Sequence, residues 1–208
     1  MNKCCRMCCF LSAVVLAVLL ASAAAAQSQT APITAIKAGR LIDPETATAT
    51  TDQVIIIEGE KSKAIGSNLA IPAGATVIDL SKLTVLPGLV DTHTHTALTY
   101  KEQPENNYYY LTYVMESSPL RAIQAASNGI QLLSSGFTVI RDVGNNALYA
   151  DVALRQAIEQ GWLPGPTVIP SGPMIGSTGG QFWPTPEMYK QHNIMFPEYI
   201  DANSPDEI

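Results

Sequence analysis

Apolar and polar positions alternate in short runs along the first part of the chain, a pattern typical of β-strands separated by turns. The runs are rich in β-branched residues and several stop at glycine. They predict about five strands: Ile33–Ala38, Gln53–Glu58, Lys63–Ile65, Ala75–Leu80 and Lys82–Val85. Gly59 can form a turn, so the strands Gln53–Glu58 and Lys63–Ile65 are predicted to pair as a hairpin. We therefore expect residues 27–85 to form a small all-β module, which on its own has little against which to bury an apolar face.

After residue 86 the pattern changes to strands that alternate with helices. Three strands are predicted, Leu89–His95, Phe137–Val143 and Thr167–Pro170, and the second of them is of buried type. Such alternation favours right-handed crossovers and a parallel sheet, so the fold class predicted for residues 86–208 is α/β.

Two helices are predicted between these strands. The first begins at Ser118–Pro119, an N-cap followed by proline, and ends at Gly136. Its apolar residues recur at helical spacing: Leu120, Ile123, Ile130 and Leu133. The second helix extends from about Leu148 to Gln160, and a further helix start is indicated at Ser204–Pro205.

The first 26 residues have the pattern of a secretory signal peptide. Basic Lys3 and Arg6 precede an uncharged apolar stretch over residues 8–26, in which Ala24 and Ala26 fit the small-x-small cleavage rule. We expect cleavage after Ala26 and export to the periplasm or the outside of the cell; an uncleaved membrane anchor is the alternative. All four cysteines lie in this leader, so the mature chain has none for disulfides: Cys4, Cys5, Cys8 and Cys9.

Composition narrows the classes of partner. Apolar residues make up 47% of the 208-residue chain and charged residues 14%, which excludes disorder as the global state. Twelve Lys and Arg stand against eighteen Asp and Glu, a net charge of −6, whereas nucleic-acid binding needs a basic face. We therefore predict no nucleic-acid partner, and no membrane association once the leader is removed; the charge balance says little about small-molecule chemistry.

The most informative chemistry lies at the end of the strand Leu89–His95. Residues two apart in a strand point to the same face, so His93 and His95 are predicted to place two imidazoles side by side. Convergent neutral nitrogen ligands suit a divalent metal, most often zinc. Asp91 has the same parity, and we expect it either to add an oxygen ligand or to orient an imidazole. In a βα-barrel, active sites lie at this end of the strands.

Other candidate residues have two interpretations each. Arg141 and Asp142 contact substrate or hold the histidines, or else form an ordinary ion pair at a strand end. The glycine-rich stretch 176–180 lacks the Gly-Lys-Ser/Thr of a P-loop, which favours a pocket-rim loop over a phosphate cradle. For the aromatic residues, packing on the barrel is favoured over a substrate lid: Tyr108, Tyr109, Tyr110 and Tyr113, and similarly Phe182 and Trp183.

Taken together, these motifs resemble the metal-dependent amidohydrolase superfamily. The stretch Leu86-Pro87-Gly88-Leu89-Val90-Asp91-Thr92-His93-Thr94-His95 is similar to the family signature around the first barrel strand. The preceding β-module resembles the family in four segments: residues 39–44, 54–59, 64–66 and 77–80. Later segments resemble the branch that contains imidazolonepropionase and Xaa-Pro dipeptidase-like enzymes: residues 136–144, 165–167, 171–173 and 178–180. Gln181 stands where this branch often has histidine, which leaves the detailed substrate open.

The resemblance implies a (β/α)8 TIM barrel carrying a β-sandwich built from both chain ends. It also implies one or two metal ions, with His93 and His95 matching the first two ligands. A carboxylated lysine, two further histidines and a proton-shuttling aspartate are expected on later strands. His192, the remaining histidine, falls outside the family's ligand positions. The implied reaction is hydrolysis of an amide or peptide-like bond in a small substrate, first Xaa-Pro-type dipeptides and second cyclic amides.

The length of the chain leaves two hypotheses open. A TIM barrel takes about 250 residues, whereas residues 86–208 supply about three strands. One hypothesis is therefore an N-terminal part of an exported enzyme, with an incomplete barrel and with catalytic residues not identified. For the complete enzyme, a homo-oligomer is an open expectation. The other is a non-catalytic product or interaction module. Because bare parallel strands expose a pairing edge, we expect the 208-residue chain alone to aggregate or stay partly unfolded.

Overall fold

The computed structural model describes residues 31–98, 116–144, 147–177 and 199–207. The chain divides between Pro87 and Gly88 into two compact units. The predicted leader, and with it the membrane-anchor alternative, lies outside the described residues. Within the described ranges, no helix has the length and apolar character needed to cross a membrane.

The described residues of the first unit, 31–87, form one mixed sheet of four strands. These are β1 (Ile33–Asp43), β2 (Thr48–Glu58), β3 (Lys61–Ser67) and β4 (Thr76–Val85). Their order is β3-β2-β1-β4, with β1 antiparallel to β2, β2 antiparallel to β3, and β1 parallel to β4. The hairpin expected around Gly59 is present as β2 and β3. A sandwich needs two sheets, whereas the described residues of this unit form a single sheet. The β-sandwich therefore stays a prediction.

The prediction of about five strands in this module was wrong by one, because its last two segments form the single strand β4. The pairing of β1 with β4 shifts register between Ala38 and Arg40, which accommodates an irregularity without ending the strand. Gly39 occupies this position, and a Cβ built there would overlap the carbonyl group of Ser81. The close approach of the two backbones therefore requires glycine at residue 39.

The second unit is built on three parallel strands with intervening helices, which confirms the predicted α/β class. Its elements are β5 (Leu89–Thr94), α1 (Ser118–Ser134), β6 (Phe137–Asp142), α2 (Ala150–Glu159) and β7 (Thr167–Ile169). The sheet order is β5-β6-β7, and both pairings are parallel. A separate parallel pair follows, β8 (Met174–Gly176) with β9 (Tyr199–Asp201), which the pattern did not predict. The helix start expected at Ser204 is a single 3-10 turn, Pro205–Glu207.

The helix ends differ slightly from the predicted ones. Ser117, rather than Ser118, caps α1, and its hydroxyl accepts a hydrogen bond from the Leu120 N–H at 3.4 Å. The helix ends at the C-cap Ser135, and Gly136 follows it with a φ of 95°. Helix α2 begins two residues later than expected because Leu148 and Tyr149 both have positive φ angles, which helical backbone excludes.

The buried face of α1 is not the apolar stripe that predicts the helix. Ile123 is 69% exposed and Leu120 is 46% exposed, whereas Ala125 and Gly129 are buried. A Cβ on Gly129 would reach Leu154 of α2 at 3.4 Å, so small residues allow the two helices to pack closely. The core of this unit consists of seven buried residues: Ala97, Ala125, Ile140, Ala147, Ala150, Leu154 and Val168.

We expect the substitution Gly39→Ala to destabilise the four-stranded sheet. The added methyl group overlaps the backbone of Ser81, which cannot rotate away as a side chain can, and overpacking of this kind costs about 1–3 kcal/mol. Urea unfolding of the full chain, followed by far-ultraviolet circular dichroism, measures the change. Gly66→Ala is the matched control in β3, since its Cβ would meet only the Leu69 side chain at 3.6 Å. Equal unfolding midpoints for the two variants would contradict the close approach.

Candidate functional site

The paired histidines lie together at the carboxyl end of β5. His93 belongs to the strand and His95 follows directly after its last residue. Their ring centroids are 5.3 Å apart with an interplanar angle of 71°, and both side chains are exposed. The predicted juxtaposition of two imidazoles is therefore what the structure contains.

The strand that carries them is not regularly pleated. Asp91 pairs with Ile140 of β6 and Thr94 pairs with Asp142, so two residues of β5 lie opposite one residue of β6. This is a β-bulge, a feature that interrupts the alternation of side chains and re-aims them. The carboxylate of Asp91 accepts a hydrogen bond from the backbone N–H of His93 at 3.0 Å. This contact stabilises the bulged backbone, and the metal-ligand and imidazole-orienting roles of Asp91 stay predictions.

Threonines alternate with the histidines and fasten the strand end to β6. The hydroxyl of Thr94 donates to the carbonyl oxygen of Arg141 at 3.1 Å, and the Val143 N–H donates to the carbonyl of Thr94 at 3.1 Å. The guanidinium Nε of Arg141 donates to the carbonyl of Thr92 at 2.9 Å. Arg141 therefore binds backbone, and within the described residues it forms no ion pair with Asp142.

Thr96 is the most completely bonded member of this segment. Its backbone N–H and its hydroxyl both donate to Oδ2 of Asp142, at 2.7 Å and 2.5 Å. Its carbonyl oxygen accepts a hydrogen bond from Nδ2 of Asn128 on α1 at 2.8 Å. Neither Thr96 nor Asn128 was singled out from the sequence, because their role depends on which strand and helix lie beside β5.

Asp142 is buried, with 1% of its surface exposed. Its second oxygen, Oδ1, accepts a hydrogen bond from the Gly144 N–H at 3.2 Å. Burial raises the pKa of this carboxyl group above its ordinary value, although the hydrogen bonds from Thr96 and Gly144 act in the opposite direction. Asp142 therefore holds the end of the strand that carries the histidines, a role that differs from the ion pair considered for it.

A cleft of about 510 Å³ borders the histidines. One wall is the end of β5 and the residues that follow it, and the other is the second half of α1. The lining residues are Asp91, His93, Thr94, His95, Thr96, Leu98, Asn128, Gln131, Leu132 and Ser135. The cleft gives the two imidazoles access to a solute of small-molecule size.

Several residues considered from the sequence lie outside the described ranges. They are Tyr108, Tyr109, Tyr110, Tyr113, Gln181, Phe182, Trp183 and His192, with part of the stretch 176–180. Among the residues that the structure does describe, no three His, Cys, Asp or Glu side chains are grouped to hold a metal ion. The described site therefore offers a pair of imidazoles rather than a full ligand set.

The sequence family decides the class of protein. The profile of the amidohydrolase family matches residues 84–205, which is more than half of the chain. The chain belongs to the amidohydrolase family. The relationship inferred from the histidine signature is confirmed, and the three parallel strands lie in the part of this amidohydrolase that the profile covers.

Individual proteins resemble this chain either in the sequence of a short stretch or in their solved structure. The dihydroorotase of Geobacter sulfurreducens is 46% identical over 72 residues, which is 32% of this chain and 16% of the relative. The solved structure of an Xaa-Pro dipeptidase with methionine in its active site is 32% identical, with a TM-score of 0.61 over 71% of this chain and 35% of that one. The ochratoxinase of A. niger, 22% identical with a TM-score of 0.60 over 78% of this chain and 37% of that one, shares the fold. The chain thus spans about a third of the solved relatives and about a sixth of the dihydroorotase.

We expect the contribution of Asp142 to stability to decline as the pH rises. A raised pKa in the folded state means that the folded chain holds this proton more tightly than the unfolded chain does. The contribution is therefore fully present below the unfolded pKa near 3.8 and is lost as the pH rises through the higher folded pKa. Urea unfolding from pH 4 upward, compared between the parent and Asp142→Asn, isolates this group because asparagine does not titrate. A difference that grows with pH would show instead that the three donors outweigh burial.

Proposed function

We propose that this chain carries part of the active site of a metal-dependent hydrolase that cleaves a carbon–nitrogen bond of amide type in a small substrate. The observation that carries the proposal is the imidazole pair of His93 and His95, exposed to the cleft at the end of a parallel strand. In an amidohydrolase this is the end of the sheet at which βα-barrels place their chemistry.

We also propose that β5, β6 and β7 are the first three strands of a (β/α)8 barrel. Their parallel order and the helices between them support this, as does the likeness to solved amidohydrolases. Within the described residues, β5 and β7 each have one unpaired edge. Further strands of a longer protein would pair there, since an open edge attracts another strand.

The donor set fits part of a divalent metal site. Zinc accepts two imidazoles that lie two residues apart at the end of one strand. Members of this family typically depend on divalent metals. His93 and His95 would hold the ion, and the remaining ligands come from outside the described residues. Zinc is our proposal for its identity; one or two ions agree with this pair of ligands.

The mechanism follows from what the described residues do. When bound, a divalent ion supplies Lewis-acid chemistry, polarising a carbonyl group and lowering the pKa of water. His93 and His95 contribute neutral nitrogen ligands, and the cleft beside them receives the amide group of the substrate. An acid-base residue that protonates the leaving nitrogen completes the reaction; we place it, with a carboxylated lysine and two further histidines, on later strands.

Xaa-Pro-type dipeptides are the substrates we propose first. The support is the Xaa-Pro dipeptidase structure, 32% identical over 71% of this chain, a far wider coverage than the dihydroorotase match gives. Cyclic amides come second, supported by the higher identity to dihydroorotase over a shorter stretch. We also propose that the leader is cleaved, that the protein is exported, and that the complete enzyme forms a homo-oligomer. Detection in the culture medium or periplasm of a protein that starts at Gln27 tests export and cleavage.

We expect Co²⁺, used as a visible probe for the metal, to bind the full chain through the strand-end pair. His93→Ala and His95→Ala should each weaken binding by about 100-fold or more, because each removes a ligand while outer partners alone are worth 10- to 100-fold. The change in the visible absorption of Co²⁺ on titration measures the affinity. His192→Ala is the matched control, since it removes the same side chain outside the motif. Equal loss in all three variants would refute the assignment.

We expect hydrolysis of a panel of Xaa-Pro dipeptides in the presence of zinc by the longest in-frame protein that the gene encodes. The release of free proline measures this activity, and dihydroorotate in the same assay tests the second substrate class. His93→Ala should abolish both activities at unchanged protein concentration. Metal binding without turnover of either class would exclude the proposed substrates, while the absence of both would favour the non-catalytic alternative.

A further inference from the structure

One buried carboxylate joins the backbone on both sides of the His95 ring. Asp142 accepts two hydrogen bonds from Thr96, the residue directly after His95. With its other oxygen it accepts the N–H of Gly144, in the segment after β6. All three donors belong to the ends of β5 and β6, beyond the last ladder pairing at Thr94 and Asp142.

Gly144 in turn lies against the imidazole of His95. A Cβ built on Gly144 would come within 2.9 Å of Nδ1 and 3.0 Å of Cε1 of that ring. The ring therefore packs on bare backbone, and its position depends on where residue 144 is held. Asp142 consequently fixes both the backbone that carries His95 and the backbone on which its ring rests.

The site is built for a carboxylate rather than for an amide. Three donors converge on the two oxygens of Asp142, which as an ionised acid only accepts hydrogen bonds. An asparagine in the same place has one oxygen, so its NH₂ group would face an N–H or O–H donor. At least one of the three contacts is then lost or rearranged.

We propose that Asp142 is a positioning residue, which sets the orientation of the His95 imidazole through Thr96 and Gly144. The inference rests on the proposed function in that His95 is taken as a metal ligand. Asp142 itself contacts neither metal nor substrate. Asn128 supports the same segment from the helix side, by donating to the carbonyls of Thr96 and Leu98.

Asp151 provides a matched control in the same unit. It is equally buried, 1% exposed, and also accepts three hydrogen bonds: from Val152 at 2.9 Å, Ser171 at 3.0 Å and Gly172 at 2.9 Å. The bonds from Ser171 and Gly172 connect the start of α2 to the loop after β7. None of the three hydrogen bonds involves the segment that carries the histidines, so loss of Asp151 removes a comparable set of contacts; it also removes a charge that raises the pKa of Asp142, while the hydrogen bonds of Asp142 keep their donors.

The experiment compares Asp142→Asn with Asp151→Asn in the full chain. Both variants should unfold at lower urea concentration than the parent. Only Asp142→Asn should weaken Co²⁺ binding, by about 10-fold or more, the range for partners that orient a ligand. Only Asp142→Asn should also shift the His95 imidazole signals in the NMR spectrum of the metal-free chain, which has three histidines to assign. Equal effects of the two variants on His95 and on Co²⁺ affinity would overturn the proposal.

A second set of variants applies if Asp142→Asn does not fold. Thr96→Val removes the hydroxyl donor and should shift His95, whereas Thr96→Ser retains both donors and should restore the parent signals. Gly144→Ala should displace the ring while leaving the hydrogen bonds of Asp142 in place. If the parent chain bound no Co²⁺, metal binding by His93 and His95 within this chain would be refuted, yet the metal-free His95 signals would still decide the positioning role. Unchanged His95 signals in Thr96→Val and Gly144→Ala would refute it.

Discussion

The hydrogen bonds between Asp142 and Thr96 are the constraint on which the described site depends. The register between β5 and β6 ends at Thr94 and Asp142, and beyond it the backbone N–H groups of the buried residues Thr96 and Gly144 need other acceptors. One carboxylate meets that need for Thr96 and for Gly144 together. These hydrogen bonds hold the two chain segments together beyond the last pairing of the strands.

The location of the site could be predicted from the sequence, but its geometry could not. An apolar strand ending in His-x-His indicates two imidazoles at the carboxyl edge of a parallel sheet, and the structure has them there. The rule that side chains two apart share a face predicted that the two imidazoles lie together. It does not describe the backbone there, because a bulge after Asp91 interrupts the pleat. A bulge is defined by pairing with a strand nearly fifty residues away, and no local pattern records that partner.

The same limit applies to the rest of the fold. Periodicity located the two helices and the three parallel strands, yet it did not indicate that α1 packs through Ala125 and Gly129. Which face is buried depends on how closely a neighbouring helix approaches, and small residues are a weak hydrophobic signal. The strands β8 and β9 were missed because each has three residues and pairs across a long separation.

At the end of β5, threonines alternate with histidines, and the two residue types have different roles. The threonines and their backbone make the contacts that hold the segment to β6 and α1, while both imidazoles stay outside that network. Substitution of the two histidines would therefore leave the hydrogen bonds that hold the strand end in place, so the same scaffold could carry other side chains there.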